Sequence, residues 1–481
     1  MRGLVLGGGL AGTLAAAALG VHCTQVTVVE RDRYPDGPRH RKGVPQGKHT
    51  HTLMSGGVRT IEQLLPGTLD RLLAAGAQYI GVPNRLLSYM PGGWRPRDPE
   101  LQFVIGTTRA LLDWTIRRQL SGVEFLEGTE VVGLLGDATR ITGARVRDRA
   151  SGEFAQVHAD FVVDATGRGS ATATWLAALG LPAVTQEAQG PGIFYSSRVF
   201  RAPRGSEFAA VFIAPDPNVD RRLRSGVLLP VEDEQWLFTL TGVRDDEPPV
   251  DARGFTEYAD GLSHPLLGQL MRRAEPLGDP FGFRIAANRR LRYDQLSRWP
   301  ECFVVIGDAA CEYNPVYGHG MTVAARNALA VREGLRHGVG AHAIQQDVTK
   351  AGLDAWQVAT EVDTRLVGIL ENQPVDLLTR LRYRFADRMT RSSPTRPALN
   401  KARLDVFTLS VPTREAITAR VIWEALLGPA GPPLAHPPLT PAEHAILHPT
   451  EPRPTGDESR SGERESRPGG DESRSGGDES R

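Results

Sequence analysis

Between a short apolar run, Gly3 to Leu6, and an alanine-rich stretch, Leu10 to Leu19, stands Gly7-x-Gly9-x-x-Gly12. That placement asks for a strand, a tight turn and a helix, and the β-branched run Thr24 to Glu30 supplies the next strand of a βαβ unit. Each glycine has a mechanical reason: the first permits the turn, the second lets a pyrophosphate approach the backbone, and the third lets the helix pack closely. An anion then rests on the helix N-terminus. Glu30 follows Gly12 by eighteen residues, near the offset of about 20 at which an acid accepts ribose hydroxyls. An acid there, in place of an arginine, points away from a 2′-phosphate. Gly7, Gly9, Leu10, Ala11 and Gly12, with Glu30 and Arg31, are therefore the first candidate binding residues.

Arg2, the apolar run and Cys23 superficially match a lipoprotein leader. Four glycines within Gly7 to Gly12 suit such a segment poorly, and the run leads directly into a charged strand end. Lys plus Arg and Asp plus Glu are both 56, so charge makes no case for nucleic acid as a partner. No unbroken apolar run reaches the roughly 18 residues of a membrane span. Cys23, Cys302 and Cys311 contain no C-x-x-C pair, which fits a reducing cytoplasm and leaves no basis for a zinc site.

Along the chain, the loop Arg39 to His51 is dense in cations, Gly and Pro, too polar for the core, and placed to cover a bound nucleotide. Its three histidines lack companion ligands at metal spacing. Apolar residues at helical spacing mark Gly57 to Ala75 and Thr108 to Leu120, with short strands between them. Val123 to Leu135, Gly143 to Arg149 and Phe154 to Val163 read as strands, the last delivering Asp164-Ala165-Thr166-Gly167. From about Gly190 to Ile285 the pattern becomes alternating and β-rich, as in a separate antiparallel layer. Phe303 to Ile306 is an apolar strand ending in Gly307-Asp308, and Asn314 to Thr322 forms a second glycine-rich loop that opens a helix, Val323 to Leu335. Helices follow over about 341–389 and 413–427. Beyond Gly428 prolines dominate, and Gly-Asp-Glu-Ser-Arg recurs in a tail expected to be disordered.

Three separated blocks together (Gly7-x-Gly9-x-x-Gly12 with Glu30, Asp164-x-x-Gly167, and Gly307-Asp308 leading into Pro315-x-x-Gly318-x-Gly320-Met321) resemble the para-hydroxybenzoate-hydroxylase class of FAD-dependent monooxygenases. Arg41 to Gln46, Arg109 to Trp114 and Asn314 to Met321 are similar in detail to the flavin epoxidases of polyether ionophore biosynthesis, the lasalocid and monensin type. The resemblance covers about residues 1 to 440. It implies an α/β fold: a Rossmann-type FAD-binding domain (1–70, 106–185 and 290–345), an antiparallel β-sheet substrate domain (71–105 and 186–289), a C-terminal helical region (346–435) and the low-complexity tail (450–481). It also implies roles. Glu30 would hold the adenosine ribose, Arg41 and Arg109 would approach the phosphates, Val131 would meet the adenine through its backbone, and Lys42 would stand among the cofactor-binding residues. Asp164 would contact the cofactor, Asp308 would hold its ribityl and phosphate region, and Gly318 to Met321 would face the isoalloxazine. The chain departs from the wider class at Ala165, where a glycine usually follows the acid, at Cys311, where histidine is common, and at Thr322, in place of asparagine.

The implied reaction transfers one oxygen atom from dioxygen through a flavin C4a-hydroperoxide, so no catalytic side chain is assigned. The single G-x-G-x-x-G implies reduction by transient NAD(P)H or by a separate flavin reductase. The expected substrate is a hydrophobic polyketide polyene, free or carrier-bound, epoxidised in a dry cleft near Tyr195 and Tyr317. The alternative is hydroxylation of an aromatic polyketide. A halogenase is disfavoured because the Trp-x-Trp-x-Ile-Pro signature is missing, and a non-enzymatic flavin scaffold because three cofactor blocks coexist.

Overall fold

Leu4, Val5 and Leu6 have no exposed surface, and a strand apolar on both faces needs layers on both sides, which a parallel sheet with crossover connections provides. Five strands answer that need: β1 (Arg2–Leu6), β2 (Gln25–Glu30), β3 (Val123–Glu127), β4 (Phe161–Asp164) and β5 (Phe303–Val305). They pair in parallel in the order β5-β4-β1-β2-β3, so the chain reverses its direction of growth at β1. Ligands in open α/β sheets bind at such a switch point, beyond the carboxyl ends of the strands.

The computed structural model describes residues 1–216, 222–244, 246–427 and 432–449, and Met1–Leu447 forms one compact unit. The tail 450–481 lies outside the described residues. The helices that matter below are α1 (Leu10–Gly20), α2 (Arg109–Arg117), α3 (Gly320–Arg336), α4 (Leu353–Leu370), α5 (Leu377–Ser392) and α6 (Ala419–Leu426). Helix α1 sets Leu10, Leu14 and Ala18 against Met321, Ala325 and Ala328 of α3. Burying a leucine such as Leu14 contributes roughly 1.5–3 kcal/mol, and the alanines let the two helices close on one another.

A second, eight-stranded sheet runs Glu275–Pro276, Ile193–Arg201, Gln235–Val243, Ser225–Val231, Ala210–Ile213, Leu86–Met90 and Gly93–Trp94, with Phe281–Ile285 also paired to Ile193–Arg201. Its core is aromatic, with Trp94, Trp236, Phe238 and Phe255 buried together. One pairing departs from the expected antiparallel layer, because Leu86–Met90 joins Ala210–Ile213 in parallel.

Three boundaries differ from the sequence pattern, each for a local reason. The helix expected over Gly57 to Ala75 is two, Ser55–Leu64 and Thr68–Ala74, interrupted at Pro66 and at Gly67, whose φ is +77°. The strand expected over Val123 to Leu135 breaks at Gly128, φ +67°, and its second half, Thr129–Gly136, leaves the parallel sheet for a three-stranded antiparallel one. Helix α3 begins three residues early, so Gly320 and Met321 belong to its first turn.

Candidate cofactor and substrate site

Because β1, β4 and β5 are parallel neighbours, the loops at their carboxyl ends converge. Gly7 has φ +94°, and a β-carbon on it would lie 2.5 Å from the Ala165 carbonyl oxygen. A β-carbon on Gly307 would lie 2.8 Å from the Ala11 side chain. The three family-like blocks thus surround the start of α1. A β-carbon on Gly12 would meet the Gly7 carbonyl oxygen at 1.8 Å, whereas one on Gly9 would meet nothing within 4 Å. No side chain caps α1 and no acid stands in its first turn. An uncapped helix N-terminus facing open space beside Gly9 is a cradle for an anion. The start of α3 repeats the arrangement: it has no side-chain cap, no acid in its first turn, and open space beside Gly320.

Glu30 lies at the end of β2, buried, where its carboxylate accepts hydrogen bonds from the Gly8 amide (2.8 Å) and the Asp32 amide (2.9 Å). A carboxylate has about four acceptor positions, so a ribose hydroxyl still has one to use. Arg41 is placed differently from the expectation. Its guanidinium is buried 3.3 Å from Glu30, donates to the Gly8 carbonyl at 3.3 Å and lies over the Tyr34 ring, so it neutralises the acid. A buried guanidinium requires such a partner. Arg31 and Lys42 are exposed on the rim, Arg31 donating weakly to the Gly43 carbonyl at 3.4 Å. Val131 lies on the edge strand of the three-stranded sheet, paired with Val146.

Arg109, at the start of α2, donates to Asp113 at 2.7 Å. Its charge also acts on Asp308. Burial pushes the Asp308 carboxyl up to about 6, reinforced by Glu312 and opposed by Arg109, Arg168 and Arg289. Arg168 and Arg289 hold Glu312 at 3.2 and 3.5 Å. Asp164, an expected cofactor contact, is employed otherwise. Fully buried, it accepts from the Thr166 amide (2.8 Å) and from the hydroxyls of Thr166, Ser170 and Thr172, each at 2.6 Å. Its acceptor positions are taken up in shaping the loop that leads from β4 into the helix Thr172–Ala178.

The loop Pro315 to Gly320 turns at Gly318, φ +68°. Met321 points away from it, into the α1–α3 interface. The two tyrosines expected in the substrate pocket are tied into a buried network. Tyr195 donates to Asn314 Oδ1 and accepts from the Val316 amide at 3.1 Å, and Tyr317 donates to Asp363 on α4. Tyr195 is a strut at 2% exposure, whereas the Tyr317 ring remains half-buried.

His49 had no expected role inside the protein, yet the basic loop turns it inward to 4% exposure. Its Nδ1 bonds the Ser197 hydroxyl at 2.7 Å, and the rings of Tyr195, Phe281 and Phe283 surround it at 5.4–5.9 Å between centroids. Its Nε2 is buried without a hydrogen-bond partner among the described residues. Burial holds His49 down to about 3, aided by the charges of His51 and Lys48, so it is neutral near pH 7.

Residues 1–362 match the model of the FAD binding domain family. The chain belongs to that family. FAD is accordingly its cofactor, and the bare N-termini of α1 and α3 fit an anionic dinucleotide. It is 34% identical over 356 residues to Protein Rv3254 of Mycobacterium tuberculosis (strain ATCC 25618 / H37Rv), a match covering 69% of this chain and 72% of that protein. Its fold is shared with the flavin-dependent brominase Bmp2 (TM-score 0.62, 16% identity, 89% of this chain and 98% of that one). It is also shared with the p-nitrophenol 4-monooxygenase PnpA of Pseudomonas putida DLL-E4 (TM-score 0.56, 15% identity, 88% and 95%). The protein is thus an FAD-binding flavoprotein.

Proposed function

We propose that this flavoprotein epoxidises an alkene of a hydrophobic polyketide, as in polyether-type biosynthesis. The reading is supported by the apolar wall beside the Pro315–Gly320 loop, where Ile193, Tyr195, Ile285 and Phe283 pack with Val316. Bound flavin would supply an electrophilic oxygen from dioxygen. The chain's own residues would do the rest: Gly9 and the start of α1 would hold the pyrophosphate, Glu30 the ribose, and Asp308 the ribityl region. The wall would exclude water and align an acceptor that needs no deprotonation. Aromatic hydroxylation is the second reading, favoured by one observation, the partnerless Nε2 of neutral His49, which would accept a phenolic proton in a hydrogen bond. Labelled dioxygen supplied with a linear alkene and, separately, a phenol tests the choice. One labelled oxygen in an oxirane that opens to a diol in acid is expected, whereas turnover of phenols alone would transfer the assignment to a hydroxylase.

A further inference from the structure

Leu377 and Leu378 are the most exposed large apolar side chains described, at 71% and 69%, and Leu381, Trp423 and Leu426 are each more than half exposed. They lie on α5 and α6. Along α5, Leu377, Leu381, Arg384 and Arg388 are spaced by four, three and four residues, which places them on one stripe of the helix. At its far end Arg388 donates to the carbonyls of Leu426 (3.1 Å) and Leu427 (2.6 Å), so the stripe continues onto the end of α6. There Ile422, Trp423 and Leu426 share the outward face, while Val421 and Ala425 pack inward on Leu399 and Ala402.

Charge on this segment departs from the rest of the chain. Between Arg380 and Arg403 stand eight arginines and lysines against one acid, Asp387, in a protein with 56 of each sign overall. Arg382 pairs with Glu361, Lys401 pairs with Asp405 and the Arg403 guanidinium is turned inward, so the excess on the surface is carried by exposed Arg380, Arg384, Arg388 and Arg391. Asp387 is itself bound by both terminal nitrogens of Arg365, at 2.6 and 2.8 Å. Arginines among outward leucines and a tryptophan match the boundary of an anionic bilayer, where guanidinium groups meet phosphates and the apolar side chains enter the acyl edge. No described helix is long and apolar enough to cross a membrane, so the contact would be peripheral.

We propose that this face of α5 and α6 docks the protein on an anionic phospholipid surface. The inference is independent of which acceptor is oxidised. Sedimentation of the full-length, FAD-loaded protein with vesicles of phosphatidylcholine, alone or mixed with phosphatidylglycerol, tests it. Binding to the anionic vesicles should be at least about tenfold tighter and should weaken with added salt. The double variant Leu377→Glu/Leu381→Glu, the single variant Trp423→Ser and the charge reversal Arg384→Glu should each lose most of it, with melting temperature and flavin absorption unchanged. Absence of binding, or binding that all three variants retain, would overturn the proposal. So would a vesicle-free dimer that the leucine variants dissociate, since the face would then meet a second copy of the chain.

Discussion

Tyr317 donates its phenolic hydrogen to Asp363, forty-six residues later on α4, and thereby fastens the glycine-rich loop to the C-terminal helices. The other carboxylate oxygen accepts from Asn288 at 2.6 Å, and Asn288 in turn accepts the Asn314 amide at 2.7 Å. Tyr195 completes the circuit from the eight-stranded sheet through Asn314. One buried acid therefore joins the loop, the sheet strands and α4, the three elements that enclose the proposed substrate wall.

Asp363 should give the fold a recognisable dependence on pH. Burial pushes its carboxyl up to about 6, although hydrogen bonds from Tyr317, Asn288 and Asn314 favour the anion. In the unfolded chain an aspartate titrates near 4. The native state therefore holds a proton that the unfolded state has already released, and this contribution is complete below about pH 4 and lost as pH rises through 6. Asp363→Asn has no such proton to lose. Between about pH 4 and 7, its melting temperature should move in its favour relative to wild type, with most of the change below 6. A difference that stays constant with pH would show an ordinary carboxyl.

The two glycines of the opening motif should fail in different ways. A side chain on Gly12 meets backbone at 1.8 Å, whereas one on Gly9 meets open space. Gly12→Ala should cost several kcal/mol, at the upper end of single substitutions, about 4 or more, and yield little folded protein. Gly9→Val should fold with the apoprotein's melting temperature but purify colourless. Full flavin absorption in Gly9→Val would remove the pyrophosphate from that position.

Asp164 should behave as a structural acid. Its removal strands the Thr166 amide and three hydroxyls, so Asp164→Ala should cost about 3 kcal/mol or more in urea unfolding, and Thr172→Val about 1–2 kcal/mol. Flavin loss at unchanged stability would instead return Asp164 to the cofactor.

The β1–α1–β2 unit was legible because its signals are local: an apolar run, glycines at fixed spacing and an acid at a strand end. The same holds for Gly307-Asp308, which another apolar strand precedes. At Asp164 the sequence could not separate two uses, because a strand-end acid looks alike whether it meets a ligand or its own loop; the hydroxyls of Ser170 and Thr172, which bond it in the fold, were the signal for the second. Asp363 was detectable in principle, since it falls on the same helical stripe as buried Ala355 and Ala359. His49 was hidden by its neighbours. Cations surround it in sequence, and only the pairing of His51–Met54 with Gln102–Thr107 directs the chain inward.

His49 offers the sharpest separation of stability from function. The native imidazole resists protonation down to about 3, whereas the unfolded one takes a proton below about 6.5. Its contribution to stability is therefore present above 6.5 and lost as pH falls, by about 1.4 kcal/mol for each pH unit. His49→Phe keeps a ring among Tyr195, Phe281 and Phe283, leaves Ser197 bonded to Thr239 at 2.6 Å, and removes a buried nitrogen whose missing partner costs about 1–3 kcal/mol. It should melt at or above the wild-type temperature near neutrality and gain further on acidification toward pH ~5. If Nε2 addresses the acceptor, turnover of a phenol should fall by at least about tenfold while an alkene is oxidised nearly as before. Equal losses on both acceptors would make His49 part of the common wall, and no loss on either would leave it a packing residue alone.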